Sequence, residues 1–468
     1  MKSGSVGTGT VAAKAALHVV TRPLERVPEL GELLAFADPR NPLVWTRGDR
    51  GAVGVDEALR LRFSGPDRFA AAAAAWRRIA AAATIDDPVR MPGSGLVAFG
   101  SFEFADTHAD AAASVIVVPR LLIARHRGTA WITEVDTAPI EHETPLPDPA
   151  PAGMWTGAHL AVADADEAYL AGVREATARI ERGEAEKIVL ARQVSGSIAA
   201  GDDLRVPLRR LAERYDDCWT YAVDGMIGAS PETLVRQTDG AISARVLAGT
   251  RGRKPADAAA DARARDELLT STKEQHEHDF AVQSVVTALS PHVLALHTSE
   301  EPFALRLPNV WHLATELGAV PKGESSSLEL AAALHPTAAV AGTPTARAVE
   351  AIAELEPAGR GRYAGPIGWI DADGEGEWVI ALRCAEVGSM PEVAGGRSRS
   401  GDAPVGPGPK STASGREYEA GAEDSEAPSA TRTVTAYAGG GIVAGSDPAH
   451  EFGETVSKFA PIADAFAP

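Results

Sequence analysis

The sequence predicts an α+β fold on three observations. Short β-branched segments follow one another across turns, helical segments stand apart from them, and no regular βαβ repeat is present. Residues 1–163 make a first part, rich in Ala, Arg and Asp, whose strong helix signal is "DRFAAAAAAWRRIAAAAT", because alanine loses least on entering a helix. Residues 164–468 make the second part. It opens with an Asp-capped helix in "DADEAYLAGVREATARI", a polar corner from Arg182 to Glu186, and a β-branched strand from Lys187 to Val194. Further strands are predicted at Cys218–Val223, Thr233–Gln237, Ala241–Leu247, Leu305–Leu313, Gly365–Ile370 and Trp378–Ala385, with helices at Asp257–Leu289, Ser327–Leu334 and Pro344–Leu355. Residues 388–432 are rich in Gly, Pro, Ser and Glu with few large apolar side chains, which predicts a disordered insertion. Strand-like "EWVIALRCAEV" and "TVTAYAGGGIV" flank it, so it reads as an extended hairpin connection.

Composition narrows the class. A chain of 468 residues buries a large core without staples. Its two cysteines, Cys218 and Cys384, sit in apolar contexts with no CxxC pair, which points away from disulfides or a zinc knuckle and toward a reducing cytoplasm. Lys14 and His18 interrupt the apolar run at the start, making it a poor secretory signal, and no run reaches the length of a membrane span. A formal charge of −19 repels nucleic acid and anionic membranes, so a bound anion requires cations gathered locally.

Several segments carry chemistry. In "GGGIVAGSDPAHEFGETVSKF" the "SDP" turn starts a helix that places Glu451 and Glu454, i and i+3, on one face. In "STKEQHEHDF", Glu274 and Glu277 share the same spacing. Either pair alone reads more readily as a solvated helix face. Brought together, the four carboxylates repel one another unless a hard cation lies between them, and Mg²⁺ suits such oxygens. Zinc at "HEH" is disfavoured, since HxH on a helix splays the imidazoles. The triple glycine is either a plain turn or a bare backbone that lets amides approach an anion. Lys187 is either an edge lysine or a desolvated general base, and Glu232 in "GASPETL" either a solvated turn carboxylate or an acid. Arg383, in apolar "VIALRCAEV", requires an anion, supplied internally or by a substrate held also by Lys458 and the glycines.

Read in order, "KIVLAR", "GASPETL", "VLAGTRGR", "STKEQHEHDF", "LHPTAAVAGTPTARA", "RYAGPIGWID", "VIALRCAEV" and "AYAGGGIVAGSDPAHEFGETVSKF" resemble the motifs of the Mg²⁺-dependent chorismate-utilising enzymes. The resemblance covers residue 164 to the C-terminus and reaches the first part chiefly through "GLVAFGSFEFAD". It implies stacked antiparallel sheets with helices outside, as in anthranilate synthase component I, a monomeric state and chorismate as substrate. By the same resemblance Glu277 and Glu454 bind Mg²⁺ directly, and Glu274 and Glu451 stand behind them. Tyr363, Arg383, Lys458 and the amides of Gly440 and Gly441 would hold the enolpyruvyl carboxylate, with Thr250 and His312 along the ring. Lys187 implies water as nucleophile, deprotonated for attack at C2, while Glu232 protonates the departing C4 hydroxyl. Ala248 stands where members with a covalent lysine carry it. "LHPT", with His335 and Thr337, is typical of members that stop at isochorismate, whereas salicylate-forming members usually carry a threonine near Ala339. The implied activity is isomerisation of chorismate to isochorismate, with salicylate formation and a non-catalytic chorismate-binding subunit as alternatives.

Overall fold

The computed structural model describes residues 16–105, 114–142, 144–308, 310–390 and 430–468. The start of the chain and most of the expected insertion, 391–429, lie outside the described residues. Within them the strands join into one continuous hydrogen-bonded network, antiparallel throughout except where His18–Pro23 runs parallel to Thr84–Asp86, and helices flank it.

Apolar alternation explains how the sheet is buried on both faces. Along strand Ser114–His126, Leu122 and Ala124 enter one core with Phe99, Phe102, Trp131 and Trp378, while Leu121 and Ile123 enter a second with Leu33, Val44, Phe459 and Phe466. Successive side chains of a strand point to opposite faces, so a strand covered on both sides reads as a continuous apolar run such as "SVIVV". The first part of the chain is woven into the rest. Leu43–Arg47 pairs with Trp219–Val223, and Val97–Ser101 pairs with Pro366–Asp371.

Two strand pairs and two helices carry the chemistry-bearing segments. Lys187–Ala199 pairs along its length with Thr431–Ile442, setting Gly440 opposite Leu190 and Gly441 opposite Val189. Ala241–Gly252 pairs with Val310–Pro321, setting Thr250 opposite His312. Helix Thr272–Leu289 packs on the second pair and helix Pro448–Phe466 on the first.

The structure revises several predicted elements. The helix expected over Asp257–Leu289 is two helices, Ala258–Thr270 and Thr272–Leu289. Ser271 between them is extended, and its side chain accepts from the Glu274 amide, an S-x-x-E start signal inside an otherwise helical pattern. The strand expected over Leu305–Leu313 is a hairpin, Phe303–Arg306 against Val310–Pro321, because Leu307 turns back to donate to Val310 O at 3.0 Å. The strand expected over Trp378–Ala385 breaks into Gly376–Ile380 and Cys384–Val387, with Arg383 at φ 47° in the gap. Strands from Lys187 and Ala241 run on to Ala199 and Gly252. Thr431 and Arg432 already belong to a strand, so the connection is shorter than expected. Its two ends pair antiparallel, Val387 opposite Val434, with Gly388 N donating to Thr433 O at 2.8 Å. No helix among the described residues is long and apolar enough to cross a membrane.

Candidate active site

One cavity is lined by all thirteen side chains and glycines singled out from the sequence: Lys187, Glu232, Thr250, Glu274, Glu277, His312, Tyr363, Arg383, Gly440, Gly441, Glu451, Glu454 and Lys458. The glycines are not a turn. They end strand Thr431–Ile442, and a Cβ at Gly441 would sit 2.7 Å from Cε of Lys187, so the bare backbone makes room for that lysine.

Helices Thr272–Leu289 and Pro448–Phe466 each present their i, i+3 glutamates to the cavity, which overturns the solvated-face reading. Asp447 caps the second helix by accepting from the His450 amide at 2.8 Å. Glu277 accepts from Lys187 Nζ at 2.5 Å, and Glu454 lies 2.5 Å from Lys458 Nζ. Glu274 accepts from the Thr250 amide at 3.1 Å, and Glu451 accepts from the Ser446 hydroxyl at 2.8 Å. Burial pushes Glu274 and Glu451 up, each helped by its neighbouring glutamate. At Glu454 burial acts upward too, but Lys458 and Arg383 outweigh it and the carboxyl falls below its ordinary value.

Among the described residues no three His, Cys, Asp or Glu groups are drawn together as a ready ligand set. The donor chemistry nevertheless fits a hard divalent cation. Oε2 of Glu451 is buried with no hydrogen-bond partner. A Cβ on Gly440 would meet it at 3.4 Å and Glu454 Oε1 at 3.8 Å, so the missing side chain leaves a small cradle facing carboxylate oxygens.

Lys187 is buried at the start of its strand rather than exposed at an edge. Glu232, also buried, is no solvated turn carboxylate: burial pushes it up to about 8, against the pull of Lys187 and Arg383. His312 is lowered to about 3 by burial and is therefore a neutral imidazole. Its Nδ1 meets Thr250 Oγ1 at 2.9 Å, leaving Nε2 buried without a partner. Tyr363 is buried and stacked on Tyr437 with centroids 5.1 Å apart. The Arg383 side chain lines the cavity and makes no ion pair among the described residues, so the internal-bridge reading fails.

Other motifs fall elsewhere. His276 packs edge-on against Phe280, while His278 is buried between Ala248 O and Thr315, so the two imidazoles of "HEH" diverge. His335 is held by Phe104 O at 2.8 Å; from "LHPTAAV" it is Ala339 and Val340 that reach the cavity. Sequence reasoning missed Lys273 and His450 on its wall, Ser446, and Tyr169 behind Gly440. Lys273 and His450 adjoin the glutamates in sequence, which is a usable signal, whereas Tyr169 reads as part of an apolar helix face.

Residues 11–144 and 140–390 match the model of the chorismate binding enzyme family. The chain belongs to that family. It is 36% identical over 320 residues to the isochorismate synthase DhbC of Bacillus subtilis, covering 64% of this chain and 68% of the relative. Over 467 residues, 95% of this chain and 88% of the relative, it is 28% identical to the salicylate biosynthesis isochorismate synthase of Pseudomonas aeruginosa. The solved structure of MenF, the menaquinone-specific isochorismate synthase of Escherichia coli, superposes with a TM-score of 0.69 over 97% of this chain and 95% of that one at 23% identity, a likeness of fold.

Proposed function

We propose that this protein is an isochorismate synthase, an isomerase that converts chorismate into isochorismate with Mg²⁺ as cofactor. The observation that carries the mechanism is Glu232: a buried carboxyl raised to about 8, facing the same cavity as Lys187. Such a group keeps its proton at neutral pH and is available as a general acid. Lys187, acting in its neutral form, takes a proton from water as the C2–O bond forms. The ring double bonds shift, the C4–O bond breaks, and Glu232 delivers its proton to the leaving hydroxyl, so a second water balances the first. Arg383 and Lys458, with the amides of Gly440 and Gly441, hold the enolpyruvyl carboxylate. Tyr363 joins them at that carboxylate, and Thr250 and His312 bound the ring.

Glu277 and Glu454 would hold Mg²⁺, with Glu274 and Glu451 around them. When bound, the ion supplies positive charge to the ring carboxylate of chorismate. The product would feed menaquinone or catechol siderophore assembly, in a monomer at work in the cytoplasm. Chromatography after incubation with chorismate and Mg²⁺ tests the proposal. Isochorismate without salicylate or pyruvate is expected, lost in Lys187→Ala and in EDTA. Salicylate with equal pyruvate would move the assignment to the lyase branch, and binding without turnover would leave a non-catalytic subunit.

A further inference from the structure

Tyr169 stands three residues into helix Glu167–Glu181, whose Asp166 cap accepts from the Tyr169 amide at 2.9 Å. The residue is 3% exposed, and its hydroxyl is buried with no hydrogen-bond partner. An O–H donor in that condition is unusual, because a buried polar group without a partner forfeits its hydration for nothing. The hydroxyl points at the Gly440 cradle: a Cβ there would lie 3.6 Å from the Tyr169 oxygen and 3.4 Å from Glu451 Oε2. Glu451 Oε2 is itself a buried acceptor with no donor, its other oxygen being taken by Ser446. A buried donor and a buried acceptor, both unsatisfied, thus face one small space that exists only because residue 440 has no side chain.

We propose that Tyr169 is a positioning residue for the metal site, donating its hydroxyl to Glu451, directly or through one water in the cradle, and so fixing the orientation of that carboxylate. This rests on the reading of Glu451 as part of a Mg²⁺ site. Ser446 and Tyr169 then hold the two oxygens of one carboxylate from opposite elements, the turn before helix Pro448–Phe466 and the helix packed against it. Partners of this kind orient metal-associated carboxylates, and their loss typically weakens metal binding ten- to a hundredfold.

The test is Tyr169→Phe, which keeps the ring and removes the hydroxyl. Calorimetric titration of the substrate-free protein with MgCl₂ is expected to show affinity weakened about tenfold, with the melting temperature unchanged or higher and the KM for chorismate unchanged at saturating Mg²⁺. Equal Mg²⁺ affinity in wild type and Tyr169→Phe overturns the proposal. A weakened affinity accompanied by a matching loss of melting temperature also overturns it, since that marks a packing role. Wild-type protein that takes up no Mg²⁺ removes the metal reading itself, a result distinct from the first. Ser446→Ala supplies a second variant, expected to weaken Mg²⁺ binding in the same direction and to add to the effect of Tyr169→Phe.

Discussion

Replacing Glu232 by glutamine separates what this carboxyl does for stability from what it does for catalysis. In the unfolded chain Glu232 gives up its proton near 4.5; in the fold, burial holds the proton until about 8. Between those values the folded state binds more protons than the unfolded state, so the group makes stability fall as pH rises through that window. A tenfold change in the ionisation equilibrium is about 1.4 kcal/mol, which puts the cost of ionising Glu232 inside the fold at roughly 3–5 kcal/mol once the pH is above 8. The amide of the Glu232→Gln variant has no charge to bury. Urea unfolding of wild type and Glu232→Gln at pH 5, 7 and 9 should therefore show near-equal stability at pH 5 and a growing advantage for the variant, approaching that figure at pH 9. Turnover should move the other way. Wild-type kcat/KM should decline above pH 8, where the acid has lost its proton, and Glu232→Gln should lose about two to four orders of magnitude at neutral pH. Parallel pH–stability curves for the two proteins, or a wild-type kcat/KM that stays level to about pH 9.5, would refute the reasoning.

Three more perturbations test separate parts of the structure. Gly440→Ala fills the cradle between Glu451, Glu454 and Tyr169, so Mg²⁺ affinity measured by calorimetry should fall at least about tenfold while the circular dichroism spectrum is kept. Arg205 is buried and bridges Asp203 at 2.7 Å while donating to the carbonyls of Ala35, Ala150 and Pro151; Asp203→Ala strands that charge and should cost about 3–5 kcal/mol in denaturant unfolding, with activity at low temperature unaffected. Replacing residues 391–429 by a short Gly-Ser linker should leave kcat/KM unchanged: the strand carrying the connection rises about 3.3 Å per residue, which sets Thr431 about 30 Å from Gly440.

What could be read from the sequence was local. Helix Ser327–Leu334 has the predicted bounds because Ser326 and Glu329 form a reciprocal capping box just outside and inside its first turn. The glutamate pairs were legible because helical spacing alone puts i and i+3 on one face. What surrounds a residue was not legible. "GASPETL" looks like an exposed turn, yet Glu232 is buried because strands brought from far along the chain close over it. Nothing near Leu43–Arg47 announces that it will pair with Trp219–Val223, one of the two pairings that tie the first part of the chain to the rest. Tyr169 is the same problem in reverse, since a tyrosine at an apolar helix position gives no hint that its hydroxyl faces a glycine from the last strand.

Arg383 shows how such non-local placement bears on function. The protein carries a net charge of −19, and within the cavity both Lys187 and Lys458 are held by glutamates. Arg383 alone of these three basic groups makes no direct ion pair among the described residues, although its charge reaches Glu454 and Glu232, and its backbone sits at φ 47°, a left-handed conformation that costs a non-glycine residue on the order of 1 kcal/mol or more. An unpaired, half-buried guanidinium on strained backbone is unfavourable twice over for the free protein. The electrostatic penalty is offset when an anion arrives, while the strained backbone is kept, since the strand break at Arg383 sets the residue where its side chain lines the cavity. A carboxylate ligand would therefore meet a preformed cation that is already partly stripped of water, which is what the role proposed for Arg383 requires.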